Sequence, residues 1–118
     1  VRQGRTCWIE REGAVWLVQR AGTGMLGGMR ALPDDGWSAA GDGAGDPPLA
    51  GAWDEAGVVR HTFTHFVIEL SVLRYEGVPA SVPGKGEWWP VDRLDEAGLP
   101  TLFAKAARLA RAASERLL

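Results

Sequence analysis

The sequence predicts an α+β fold in which a mixed or antiparallel sheet is sandwiched with one C-terminal helix. Three observations carry that prediction. Two β-rich runs flank Arg11-Glu12-Gly13, a long run alternates in apolarity after His65, and an apolar stripe of helical period follows Pro100. No helical pattern separates the strands, which excludes a doubly wound dinucleotide-binding sheet. A length of 118 residues suits a single domain, expected over 1–118, that buries enough surface to fold without a metal or disulfide staple.

Thr6 to Glu10 and Ala14 to Arg20 read as the arms of a hairpin closed by a short Gly-containing loop. Val15 and Leu17 share one face of the second arm and Trp16 and Val18 the other, so both faces are expected to be partly buried. The next stretch, AGTGMLGGMRALP, reads as a structured loop. Gly27-Gly28 permits backbone angles closed to other residues, and Leu32-Pro33 ends the stretch in extended chain. From Asp34 to Ala52 Gly, Asp, Pro and Ala dominate with almost nothing to bury, which predicts an irregular or mobile surface excursion.

Order returns at Val58. VVRHTFTHFVIELSVLRY reads as a long strand entered through a bend near Thr62 to Thr64, with Phe66, Ile68, Leu70 and Val72 on one face. After a Pro- and Gly-bearing turn, Glu87-Trp88-Trp89 makes a short strand closed by Pro90, its two Trp side chains on opposite faces. Pro100 and Thr101 open the helix. Its apolar stripe is Leu102, Ala106, Leu109, Ala113 and Leu117, while Lys105, Arg108, Arg111 and Arg116 lie mostly off it as a charged solvent face.

Composition narrows the function. A net charge of −2 argues against strong autonomous nucleic-acid binding, because Lys and Arg facing phosphates supply most non-specific affinity. Any DNA role must be local or helped by another domain. The single cysteine, Cys7, excludes an internal disulfide and any cluster of several thiolates, fits a reducing cytosol and reads as a small buried hydrophobe. Neither a spanning helix nor a signal peptide is legible. A first residue of Val suits a segment of a longer protein.

The pieces combine into a resemblance. A strand like VWLVQR, a Leu-Gly-Gly loop ending in Leu32-Pro33, the run Arg60-His61-Thr62-Phe63-Thr64-His65-Phe66, then Trp89-Pro90-Val91 and a Leu99-Pro100-Thr101 helix span nearly the whole chain. Together they resemble the C-terminal domain of A/G-specific adenine DNA glycosylases, the MutY family. The resemblance implies a Nudix-like fold with a degenerate or missing Nudix helix, in a domain that reads 8-oxoguanine opposite adenine during base-excision repair. It places the catalytic groups, the flipped-adenine pocket and an iron–sulfur cluster in a helical N-terminal domain, leaving this segment without catalytic residue, cofactor or metal. The implied partners are duplex DNA carrying 8-oxoguanine opposite adenine and the catalytic domain of the same chain, in a cytoplasmic, nucleoid-associated setting away from membranes. In that family a Phe-Ser-His triplet touches the damaged base. The corresponding residues here are Phe63, Thr64 and His65, with Thr where Ser is usual.

These residue types suit the task. 8-Oxoguanine carries a proton on N7 and an oxygen on C8, so it offers a donor where guanine only accepts. A Thr64 hydroxyl whose own proton is committed elsewhere would accept from N7. Phe63 would wedge beside the base and His65 or Arg60 would hold a phosphate, with His61 in the same recognition segment. Taken alone, the residues leave a plainer alternative open: Phe63 in the core, Thr64 an ordinary strand residue, His65 at an edge. His61 and His65 would form a zinc pair only on a helix, and the flanking Thr and Phe residues favour extended chain.

Two other functions stay open. A Nudix pyrophosphohydrolase needs glutamates gathered on one helix face to hold Mg²⁺, whereas Asp34, Asp35, Asp42, Asp46, Asp54 and Glu55 are scattered through Gly and Pro. Asp54 and Glu55 would diverge by about 100° on a helix and read as solvated charges. A protein-interaction module that kept the Nudix-like shell would instead present exposed Trp residues to a partner.

Overall fold

Glu12 and Gly13 both adopt left-handed backbone angles, φ 51° and 77°, and make the two-residue turn that a tightly twisted hairpin prefers. They join β2 (Glu10–Arg11) to β3 (Ala14–Gln19), with Glu10 opposite Val15. The computed structural model describes residues 1–21 and 26–116, so positions 22–25 of the Gly loop and Leu117 of the helix stripe lie outside the described residues, as does the Arg116 side chain. After the loop, β4 (Arg30–Ala31) pairs with the end of β3, and β7 (Glu87–Pro90) pairs along β3 from Ala14 to Leu17. All these pairs are antiparallel.

The second sheet is built around β6 (Val67–Tyr75). β1 (Arg2–Trp8) runs parallel to it on one side and β5 (Trp53–Thr62) antiparallel on the other, so the architecture is the expected α+β one with mixed and antiparallel sheets. The helix α1 (Thr101–Arg116) begins directly after Pro100 and buries Leu102, Phe103, Ala106, Ala107, Ala110 and Ala113. Its run of Ala lets it lie close to the sheet, and the Leu109 Cδ1 sits 3.1 Å from where a Cβ on Gly57 would stand. That face joins Trp8, Val15, Leu17, Leu32, Ile68, Leu70 and Val72 in the main core. A second cluster of Cys7, Ile9 and Trp16 packs with Trp53, Tyr75 and Trp88. β3 therefore contributes to two cores, which explains why Val15 and Trp16 are both buried despite facing opposite ways.

Several expectations need correction. β1 starts at Arg2, not Thr6, because parallel pairing with β6 recruits Arg, Gln and Gly that have little strand preference of their own. The single long strand from Val58 is instead a hairpin: β5 begins at Trp53, and the chain reverses over Phe63–Phe66 into β6. The excursion from Asp34 to Ala52 does bury something. Trp37 within it is 1% exposed, and the segment is strapped along the edge of β1 by backbone bonds from Asp35 to Arg5 and from Gly43 to Gln3. Asp54 is not a solvated charge, since it pairs with the largely buried Arg74 at 3.5 Å. A 3-10 helix over Val91–Glu96 links β7 to α1 and was not legible as a separate element.

Candidate nucleic-acid interface

The reversal between β5 and β6 is narrow. Thr62 stands opposite Val67, the Phe63 N–H donates to the Phe66 carbonyl at 2.8 Å, and Thr64 and His65 form the tip. Phe63 and Phe66 are half-buried whereas Thr64 and His65 are exposed. The two Phe rings stack at 5.0 Å between centroids, and the edge of His61 meets Phe63 at 4.8 Å. Beneath them lies Trp37, 6.1 Å from Phe63 and 6.4 Å from Phe66. The Arg20 guanidinium also lies over the Trp37 ring, 4.1 Å from its centroid, and is anchored by Asp34 at 3.0 Å and by the Trp37 carbonyl. The tip thus stands on an aromatic and cationic pedestal drawn from three separate segments.

The charged candidates are arranged differently. Arg60 and Glu69 are cross-strand partners, joined at 2.6 Å, and Gln3 donates to the other carboxylate oxygen of Glu69 at 2.7 Å. The hydrogen bond from Gln3, helped by Arg60, holds the Glu69 carboxyl below the usual range. A phosphate at Arg60 would have to compete with that carboxylate. His61 is half-buried, and desolvation followed by the nearby Lys105 ammonium lowers its pKa. It is therefore poorly disposed to present a positive charge to DNA. Among the described residues no three His, Cys, Asp or Glu side chains group as a metal site.

Phe63, Thr64 and His65 are thus brought together at one projecting tip, with Arg60 and His61 on the strand that leads to it. The sequence reading missed Trp37 and Arg20. The available signal was a lone Trp in a stretch dominated by Gly, Asp, Pro and Ala, since so large an apolar side chain needs a site to fill.

A second concavity, about 550 Å³, opens beside β3, β4 and β7 and is lined in part by Gln19, Arg30, Lys85 and Glu87. Its arginine is already engaged. Arg30 pairs with Glu87 at 2.7 Å, donates to the Ala97 carbonyl and stacks over Trp89.

The sequence pattern of the NUDIX domain matches residues 5–109. This chain belongs to the NUDIX domain family. Among solved structures, this NUDIX chain is similar to the C-terminal domain of mouse MUTYH in its complex with human PCNA, with 19% identity, a TM-score of 0.70, and coverage of 96% of this chain and 89% of that one. It is also similar to the MutT protein of Methanosarcina mazei Go1, with 21% identity, a TM-score of 0.68 and 94% of each chain covered. The MutT NUDIX hydrolase of Burkholderia pseudomallei matches at 16% identity and a TM-score of 0.68, over 92% of this chain and 96% of that one. These likenesses establish the fold. No match is found among curated proteins.

The residues present do not fit the divalent metal of a NUDIX hydrolase. After Leu32-Pro33 the described chain forms no helix until Val91. Asp34 is committed to Arg20 and to the Gly36 N–H, and Asp35 faces Arg5 at 3.6 Å. Glutamates on one helix face, which would neutralise a metal and a diphosphate together, have no counterpart in that segment.

Proposed function

We propose that this NUDIX domain reads 8-oxoguanine opposite adenine, as the C-terminal part of a MutY-type adenine glycosylase whose catalytic groups and iron–sulfur cluster reside in another domain. The observation that carries the reading is the hairpin tip: an exposed Thr64 hydroxyl and His65 imidazole held on a packed aromatic base. Among the described residues the Thr64 hydroxyl makes no hydrogen bond within the domain, so it is free to face the lesion, and it selects the N7 proton when its own proton is given to an acceptor in the complex. Phe63 is packed on one side and accessible in part, which suits a ring that flanks a base without inserting fully.

The test is binding of this chain, at low salt, to two labelled duplexes that differ only in 8-oxoguanine or guanine opposite the same adenine. Tighter binding to the lesion duplex is expected. Equal affinity for both would overturn the reading.

A second reading is favoured by one observation, the likeness to a mouse domain solved in complex with human PCNA. A domain of this shape can carry a protein-binding face as well. If the two duplexes bind equally and PCNA co-elutes with this chain in size-exclusion chromatography, the interaction reading replaces the lesion reading.

A further inference from the structure

We propose that Trp37 is a positioning residue for lesion recognition, and that the irregular segment from Asp34 to Ala52 serves to place its indole under the hairpin tip. This rests on the lesion-reading function proposed above. Thr64 and His65 are exposed, and the tip around them contains no Gly, Pro or Asn to fix its shape. Neither residue takes a left-handed backbone angle. What fixes the tip lies below it. Phe63 and Phe66 bracket the tip in sequence, stack on each other and both meet the Trp37 ring, so the indole sets the height and tilt of both legs of the turn.

The indole is itself held from other directions. The Arg20 guanidinium lies over the ring, and the backbone of β1 approaches so closely that a Cβ on Gly4 would come within 2.9 Å of the Trp37 Cδ1 atom. Gly4 is therefore required by the indole, and the indole by the tip. A hydrogen bond that separates one donor from its absence depends on placement to a fraction of an ångström. An indole that touches no DNA can thus govern selectivity through the two Phe rings.

The experiment uses this chain and three variants. Trp37→Leu keeps the site apolar but removes the ring, Trp37→Phe keeps a ring, and Gly4→Ala pushes the indole from β1 without altering any tip atom. Two quantities are read: amide exchange of Phe63 against that of Leu70 in the sheet centre, and the affinity ratio for 8-oxoguanine over guanine opposite adenine. Trp37→Leu should lower Phe63 protection about tenfold more than Leu70 protection, the signature of local rather than global opening. It should also reduce the affinity ratio to about a fifth, the scale of one hydrogen bond. Trp37→Phe should restore most of both, and Gly4→Ala should lower the ratio while leaving Leu70 protected.

Equal loss of protection at Phe63 and Leu70, or an affinity ratio that Trp37→Leu leaves unchanged, overturns the proposal. Should Trp37→Leu fail to fold, Gly4→Ala decides, and an unchanged ratio there overturns it too. A wild-type ratio of one sinks the lesion-reading function itself, whereas a high wild-type ratio insensitive to these variants sinks only the role of Trp37.

Discussion

On the proposed lesion-reading function, one oxygen atom at Thr64 separates recognition from mere contact. With its own proton given to another acceptor in the complex, the Thr64 hydroxyl is an acceptor that guanine cannot use, so Thr64→Ala should cost about 0.5–1.5 kcal/mol of discrimination against guanine, with little change in affinity for the undamaged duplex. Thr64→Ser keeps the hydroxyl and should be nearly silent in the same paired titrations. At Cys7 the chemistry runs the other way. Burial, reinforced by the Asp35 carboxylate, pushes its thiol up from 9.0 to about 12, so the reactive thiolate is scarce at neutral pH. Iodoacetamide at pH 8 should leave the folded chain unmodified and label it stoichiometrically in denaturant. The raised value also has a stability consequence. Its contribution is complete below pH 9 and is lost as pH climbs through 9 towards 12, because the unfolded chain sheds that proton first.

At the level of elements, the β5–β6 hairpin couples the tip to the helix through His61. Burial and then Lys105 depress the His61 pKa below 6.5, so the fold prefers the neutral ring. Stability from this group is present above pH 6.5 and falls as pH drops through the lowered folded value. Melting curves at pH 7.5 and 5.0 should show that loss, and His61→Gln should flatten it. This hairpin was only half legible in the sequence. The alternation of Phe66, Ile68, Leu70 and Val72 marks β6, and the Pro100-Thr101 start and apolar stripe mark α1, because both follow their structural period. The turn between β5 and β6 carries none of the residues that announce turns, so Phe63-Thr64-His65-Phe66 reads as a bent strand. Trp37 was hidden for a related reason. Its partners come from β1, the residue just after β3 and the hairpin tip, and no local period can point to contacts made across the fold.

For the whole molecule, the net charge is −2, and Arg60 beside the tip, like Arg20, Arg30 and Arg74, is paired with a carboxylate. Affinity of the isolated chain for duplex should therefore be weak at physiological salt and should show a shallow salt dependence. Sub-micromolar binding with a steep slope would contradict this. Turnover of 8-oxo-dGTP with Mg²⁺ is not expected, and phosphate-release assays check it. The parallel pairing of β1 with β6 also imposes an order in time. Gln3 meets Glu69 across a separation of 66 residues, whereas the hairpin closes over a handful. Loop-closure entropy makes the distant contact costlier by about 2 kcal/mol, so the hairpin should form early and the first strand should dock late. Pulse-labelled exchange during refolding would see β6 protected before β1. Until that docking step, one whole edge of β6 offers bare N–H and C=O groups to any neighbouring chain, and trimming the first eight residues would make that transient hazard permanent.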